Sequence, residues 1–363
     1  MRHQISQADV IEVNEIDSGS ALPDPELSPQ ILTIGIVGLG IIGKVHLANS
    51  RDFGLGKIVA LADPQLSAVA DSFDGLPVYE DWRELVAAAD IDAVIICLPH
   101  FLHADCAEAA MKAGKHVFLE KPLATSLADA KRLVACAEEY GRVLMVNMTH
   151  RYYPPIRKAR ELIRSGAIGD IISVRDHYME VIDRREFPAW FFDPKAAGGG
   201  VAMTDSIHLL DRVSWLIDEP LELIGQSSRS LDPASAVEDS VELLCQTASG
   251  VSVTVGSFFC FNSRKTWADQ LTIFGTAGTL SIHAWSHVEW TPHGGSPHRF
   301  DGYDEGLPLR ERGAVGHRAA LNDFIEAIEK KRPSESDAAT LINVQEILQS
   351  FYDTKARGEE DRE

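Results

Sequence analysis

The sequence predicts an α/β chain: an N-terminal doubly wound parallel sheet, then an α+β domain with a largely antiparallel, open sheet. Three observations predict it. Up to about residue 150, short apolar β-branched runs alternate with stretches of helical periodicity, the pattern of strand–helix–strand crossovers. The first strand runs straight into Gly38-Leu39-Gly40-Ile41-Ile42-Gly43, a glycine turn that opens a helix. After Pro154-Pro155 come successive strands separated by turn pairs such as Ser249-Gly250 and Ala277-Gly278, the signature of hairpins.

In the first part, strands are expected at 32–37, 58–62, 93–98, 116–119 and 143–146, with helices at 41–51, 82–89, 104–113 and 128–140 between them. These strands are nearly all apolar, as strands covered on both faces are. Ser126 followed by Asp129 is a cap-and-acid start for the helix at 128. In the second part, a helix at 156–164 stops at Ser165-Gly166. Strands follow at 171–179, 221–225, 240–247, 251–259, 270–274 and 279–283, and helices at 203–216, 318–330 and 337–352. The expected organisation is an acidic, flexible arm (1–30), a dinucleotide-binding domain (31–150), a substrate-binding and oligomerisation domain (151–355) and a tail (356–363). The arm carries six acids and one base, Arg2, a composition that resists folding.

Composition excludes several classes. The chain is 363 residues long, 45% hydrophobic and 24% charged, suited to about two globular domains at ~150 residues each. Its 34 Lys+Arg against 54 Asp+Glu give a net charge of −20, which repels phosphate backbones and anionic lipid, so neither nucleic acid nor membrane is an expected partner. No apolar run nears the ~20 residues that span a bilayer, and no early stretch looks secretory. The five cysteines (97, 106, 136, 245, 260) form no C-x-x-C pair. Free, buried, inert thiols in a reducing cytoplasm are the expectation.

The glycine motif carries chemistry because of where it sits. Between strand and helix, Gly38 permits the tight turn, Gly40 lets backbone approach a pyrophosphate, and Gly43 lets helix pack on strand. Ile41 and Ile42 stand where the helix offers its free N–H groups. Asp63 ends the second strand, twenty residues after Gly43, where a carboxylate accepts the ribose hydroxyls of NAD and repels the 2′-phosphate of NADP. Neither Pro64 nor Gln65 supplies a rescuing cation. Asp63 capping a helix from Pro64 is the structural alternative. Glu120-Lys121-Pro122 follows the fourth strand at the ligand-binding edge; Lys121 there can hydrogen-bond a substrate hydroxyl, with Glu120 holding it. His208 follows a Gly198-Gly199-Gly200 turn on a helix and titrates near neutrality, as a proton acceptor should. Thr204 and Asp205 lie on its helix face, and Asp205 or Asp211 is within reach to orient its ring. A purely structural histidine is the competing reading. Arg151, Tyr178 and Trp190 are candidate pocket residues. His283, Trp285, His287, His293 and His298 cluster in a Gly/Pro-rich segment expected to be a loop rather than a metal site, and no metal is expected.

Taken together, Leu98-Pro99-His100-Phe101-Leu102-His103, Ala113-Gly114-Lys115-His116-Val117, Glu120-Lys121-Pro122, Arg151-Tyr152-Tyr153-Pro154, Gly166-Ala167-Ile168-Gly169 and Gly198-Gly199-Gly200 leading to Ile207-His208-Leu209-Leu210-Asp211 resemble the glucose–fructose oxidoreductase / inositol dehydrogenase / MocA family over about 32–355. The resemblance implies a Rossmann domain, an open-sheet C-terminal domain and NAD(P)-dependent oxidation of a sugar or cyclitol hydroxyl. It implies that Lys121 and His208 flank the reacting carbon, and that Leu98, Pro99, His100, His103 and Glu120 lie near the cofactor. It implies Arg151, Trp190, Thr204 and Asp205 near the substrate. The sequence departs from the family where many members have an aspartate four residues before the histidine (here Thr204), an asparagine at His100, and Trp-Arg at Trp190-Phe191.

The expected function is therefore an NAD-dependent dehydrogenase of a sugar, polyol or cyclitol, NADP being less favoured. A ketosugar reductase and a non-catalytic NAD-binding sensor are the alternatives on the same scaffold. A homodimer or homotetramer is expected, because one face of the strand at 251–260 (Ser252, Thr254, Gly256, Phe258, Cys260) carries no charge where a wet sheet face should be polar.

Overall fold

The structure is a computed structural model that describes residues 31–360 except 66–72, 74, 89, 233–234 and 261–267. The expected arm at 1–30 lies outside the described residues.

Six short strands are linked by helices: β1 (Thr33–Val37), α1 (Ile41–Phe53), β2 (Lys57–Ala62), β3 (Val78–Tyr79), α2 (Trp82–Ala87), β4 (Ala93–Ile96), α3 (His103–Lys112), β5 (His116–Leu119), α4 (Leu127–Tyr140) and β6 (Leu144–Val146). All pair in parallel in the order β3-β2-β1-β4-β5-β6. The order reverses beside β1, so the crevice for a ligand opens at the carboxyl ends of β1 and β4. Continuous apolar runs form these strands because both faces are buried: Ile34, Ile36, Val94, Ile95 and Phe118 are fully enclosed. Ser126 caps α4 by accepting from the Asp129 N–H at 3.1 Å, and Gly141, with φ 59°, ends it. The two-residue β3 went unpredicted, being too short to show alternation.

The second sheet follows α5 (Pro154–Arg164). It contains β7 (Ile171–Val181) and, after the four-residue α6 (Pro194–Ala197) and α7 (Ile207–Ile217), β8 (Leu221–Arg229), β9 (Ser240–Thr247), β10 (Ser252–Cys260), β11 (Ala268–Gly275), β12 (Gly278–His283), β13 (His287–Pro292) and β14 (His298–Asp301). Its order is β14-β13-β12-β11-β7-β10-β9-β8, antiparallel throughout except for the β7–β10 pair. The inner face is apolar and buried: Val174, Val253, Cys245 and Ile273 lie abreast in the register.

The segment expected as a histidine-bearing loop is instead two further strands around a tight turn. Residues 284–286 turn, so His283 and His287 face each other across the hairpin with rings stacked at 4.7 Å. Buried Val288 anchors the returning strand. Two helices close the chain, α8 (Leu309–Glu329) and α9 (Ile342–Glu360). Both exceed expectation; α9 runs through most of the expected tail. Although α8 follows the second sheet, it packs on the first. Phe324 meets Phe118 edge-on at 5.5 Å, and Ala320 and Leu321 join the cluster around Ile34 and Ile36. That return places His317, on the same helix, at the carboxyl edge of the parallel sheet.

Candidate active site

The glycine loop has the surface a dinucleotide needs. Gly38 has φ +87°, and a Cβ there would meet the Cys97 carbonyl oxygen at 2.5 Å. At Gly40 a Cβ would meet nothing within 4 Å, so this stretch is bare backbone facing open space. The thirteen-residue α1 starts with no side-chain cap and no acid in its first turn, which leaves its N–H groups available to an anion. Asp63 ties the loop to β2: one carboxylate oxygen accepts the Leu39 N–H at 2.8 Å and the other the Gln65 N–H at 2.9 Å. Pro64 and Gln65 form a turn, and the rest of the helix that Asp63 is alternatively expected to cap lies outside the described residues. Each oxygen retains a lone pair for a ribose hydroxyl. The residues fit NAD.

From that loop, Ile42 reaches the wall of a cavity of about 330 Å³. Lys121 enters it from the loop after β5, and His208 from α7, with Glu120, Asn147, His150, Tyr153, Tyr178, Glu180, Asp205, Trp285 and His317 around them. The helix carrying His208 starts irregularly. Residues Ala202–Ser206 form a π-turn ahead of α7, a feature common at functional sites. Buried Glu238 secures this start, accepting the Gly200 and Ala202 N–H groups at 2.8 and 3.3 Å and the Tyr352 hydroxyl at 2.8 Å. At Gly199, a side chain would collide with the Tyr352 ring.

Charges around the cavity are arranged in layers. Burial would raise the Glu120 carboxyl, but His46 and His317, with a hydrogen bond from Asn147, hold it down at about 2. His46 Nε2 lies 2.8 Å and Asn147 Nδ2 2.6 Å from Glu120 Oε1. His46, Glu120 and His317 bring possible ligand atoms within 4.8 Å of one another, but Glu120 Oε1 is already committed to hydrogen bonds. Burial, then the Lys121 charge, pushes His208 well below the ordinary histidine value, so its ring is neutral and can accept a proton. Burial, then the neighbouring Glu180 charge, raises the Asp205 carboxyl, with Lys121 opposing. Burial also raises Glu180. Asp205 Oδ2 and His208 Nδ1 are buried with no hydrogen-bond partner, so Asp205 does not orient the His208 ring here. Asp211 does not either, since it pairs with Arg151.

Residues 32–148 match an oxidoreductase family with an NAD-binding Rossmann fold, and residues 156–281 match the GFO/IDH/MocA C-terminal domain. The chain belongs to the GFO/IDH/MocA oxidoreductase family. Among its relatives, inositol 2-dehydrogenase of Rhizobium meliloti (strain 1021) is 30% identical over 312 residues, 82% of this chain and 88% of that one. The rhizopine catabolism protein MocA of Rhizobium meliloti is 28% identical over 86% of this chain and 92% of its own. In fold, the chain is similar to levoglucosan dehydrogenase in complex with NADH and levoglucosan, with a TM-score of 0.79 at 24% identity, covering 90% of this chain and 98% of that one.

Other residues singled out within the GFO/IDH/MocA pattern fall into two groups. Thr204 turns its hydroxyl back onto the Gly200 carbonyl at 3.1 Å, while the next residue, Asp205, lines the cavity. His100, Trp190 and Arg151 are absent from its lining. His100 bonds the Ala197 carbonyl at 2.8 Å and meets Trp190 edge-on at 4.9 Å. His103 sits between the Leu98 and Pro122 carbonyl oxygens, its ring nitrogens 2.8 and 2.7 Å from them, and its one N–H donates to one of the two. Arg151, expected toward substrate, is buried and grips both Asp211 oxygens, at 2.9 and 2.5 Å; an arginine so enclosed is held by its carboxylate. Sequence reasoning missed His46, Asn147, His150, Glu180 and His317. Glu180 was discoverable, sharing the strand face of Tyr178 two residues earlier. His317 was not, because nothing local indicates that α8 returns to the first sheet. The cysteines are all free, and burial raises the thiols of Cys97 and Cys106.

Proposed function

We propose that this chain is an NAD-dependent dehydrogenase of a sugar, polyol or cyclitol ring hydroxyl, with Lys121 and His208 as its proton-handling residues. One observation carries the reading: a single cavity is lined at once by Ile42 of the glycine loop, by Lys121 and by His208. Its volume suits a small ring rather than a polymer. NAD, when bound, supplies the hydride acceptor. Neutral His208 takes the hydroxyl proton as the carbonyl forms, and the Lys121 ammonium stabilises the developing oxyanion. Reduction of a ketosugar would use the same groups in reverse. Glu180, Asp205 and Tyr178 offer hydrogen bonds to the remaining hydroxyls, and the half-buried Trp285 offers an aromatic face to ring C–H groups. These features support a poly-hydroxylated substrate over an apolar alcohol, and they argue against a non-catalytic sensor.

Asp63 supports preference for NAD over NADP, with residues 31–150 as the dinucleotide domain and 151–355 as the substrate domain. We also infer a homo-oligomer through the outer face of the second sheet and, from the free thiols, three buried and two half-buried, a cytoplasmic setting. Among the described residues no helix is long and apolar enough to cross a membrane. Following NADH absorbance across a panel of inositol isomers, aldoses and anhydrosugars tests the reading; no turnover on any poly-hydroxylated ring would reject it.

A further inference from the structure

We propose that His150 is a further working residue of this site: a permanently neutral imidazole that orients His208 by stacking and offers its Nε2–H to substrate, with Arg212 as its positioning residue. The proposal rests on the dehydrogenase reading for its kinetic consequences but not for its structural core.

Arg212 is fully buried. Its guanidinium donates to both Asp176 oxygens at 2.7 and 2.5 Å and to Asp269 Oδ1 at 2.7 Å. A fourth contact, from Nη1, reaches His150 Nδ1 at 3.3 Å. A guanidinium has only donors and does not lose its proton. The His150 Nδ1 must therefore be the acceptor, and the ring's one proton sits on Nε2. A second proton would have to sit on Nδ1, facing a fixed cation. Burial, His208, Arg212 and Lys121 all oppose it. Because Asp176 and Asp269 clamp Arg212, it cannot turn away.

The ring's setting gives this locked state a use. His150 lines the cavity, and with Nδ1 occupied its remaining polar group is Nε2–H. Its ring is held between Tyr153, at 5.1 Å, and His208, stacked at 4.6 Å and 21°. His208 Nδ1 has no hydrogen-bond partner, so no carboxylate sets that ring's orientation; the stacked face of His150 does. The titratable and charged groups around the two rings are Glu120 and Lys121 beyond β5, Asp205 and Arg212 on the helix of His208, Asp176, Tyr178 and Glu180 on β7, Asp269 on β11, Tyr153 at the start of α5, and His317 on α8. Within this set, a neutral ring beside His208 leaves that base free to take a proton, whereas a titrating ring would place a second cation next to it and oppose its imidazolium.

Two measurements test the proposal. In the full chain labelled with ¹⁵N-histidine, the His150 ring should show one tautomer, protonated at Nε2, with no titration between about pH 5.5 and 8.5. Protonation at Nδ1, or titration in that range, would overturn it whether or not any substrate is found. For turnover, His150→Phe keeps the stack but removes the donor. KM should rise about tenfold, the worth of one hydrogen bond, with an unchanged pH profile. His150→Gln keeps an acceptor for Arg212 and a donor but removes the stack. It should lower kcat about tenfold and displace the acid limb. Folded variants with wild-type KM, kcat and pH profile would refute the roles, and if His150→Phe does not fold, His150→Gln and the tautomer measurement decide. A wild-type chain inactive on every polyol would sink the dehydrogenase reading alone.

Discussion

Lys121 Nζ donates to the backbone carbonyl oxygen of Thr204 at 2.7 Å. This bond joins the tip of the parallel sheet to the π-turn that carries the His208 helix, across 83 residues of sequence. It fixes the ammonium within the cavity while leaving two of its three N–H groups for a ligand. It also gives Thr204 a role through its backbone, where the family commonly places an aspartate side chain.

Lys121→Ala should therefore bind NAD normally and lose turnover by roughly 10²–10⁴, the range of a positioned acid–base group. His208→Ala should do the same. NAD affinity by fluorescence titration and kcat by NADH absorbance separate the two effects. Near-normal rates in either variant would mean that the chemistry lies elsewhere.

Much of this site was legible because the motifs are local. A strand, a glycine turn and a helix must be contiguous to cradle a pyrophosphate, so Gly38, Gly40 and Asp63 could be placed from spacing alone. Lys121 stands at a strand tip, where by itself it reads as a surface lysine; the family resemblance singled it out. What stayed hidden is long-range. His317 reaches Glu120 and Asn147 only because α8 returns to the first sheet, burying Phe324 against Phe118. His150 acquires meaning from Arg212, 62 residues away. Arg151 carried a family motif, yet its partner Asp211 lay on an element whose packing no local signal revealed.

NAD should be preferred over NADP. The Asp63 carboxylate sits against the Leu39 and Gln65 amides and presents negative charge where a 2′-phosphate would lie. Asp63→Ser with Pro64→Arg should move the ratio of kcat/KM values toward NADP. Equal or better wild-type turnover with NADP would defeat this assignment.

Arg151→Ala should act on stability rather than on substrate. It strands the Asp211 carboxylate, whose side chain is 1% exposed, and breaking a buried pair costs about 3–5 kcal/mol. A lower urea midpoint with unchanged KM in the remaining folded protein is the expected result. A raised KM with unchanged stability would return Arg151 to the substrate pocket.

The oxidation rate should hold steady as pH falls past the ordinary histidine range. His208 must be unprotonated to accept a proton, and burial with the Lys121 charge lowers its pKa well below 6.5. A lowered pKa keeps the base competent at lower pH, so the acid limb of kcat/KM should begin below about pH 6.5. Lys121→Met removes the second cause of that lowering; whatever rate it retains should fall off at higher pH than wild type. A wild-type limb at or above the ordinary value would contradict a desolvated His208.

The second sheet should mediate self-association. Helices pack on its inner face, and among the described residues its outer face carries exposed side chains. Across the register, Thr272, Arg175, Thr254 and Leu244 lie abreast, as do Phe274, Ser173, Ser252 and Gln246. Leu244 is 40% and Phe274 36% exposed, and Phe258 and Met179 are half-buried on the same side. The neighbouring strands thus extend the weakly polar character of β10, although Arg175 and Glu242 add charge. The mixture suits an interface, where an apolar centre is bounded by charges that find partners. Two-fold pairing would let Arg175 and Glu242 of each copy approach their counterparts, the self-complementary arrangement of closed dimers. Light scattering at micromolar concentration should give a multiple of the 39.8 kDa chain mass. Leu244→Glu with Phe274→Glu should reduce that mass to a single chain while leaving NAD affinity intact, since neither residue lines the cavity. A particle of one chain mass in the unmodified protein would overturn the oligomer, and an unchanged mass in the double variant would move the interface to another surface.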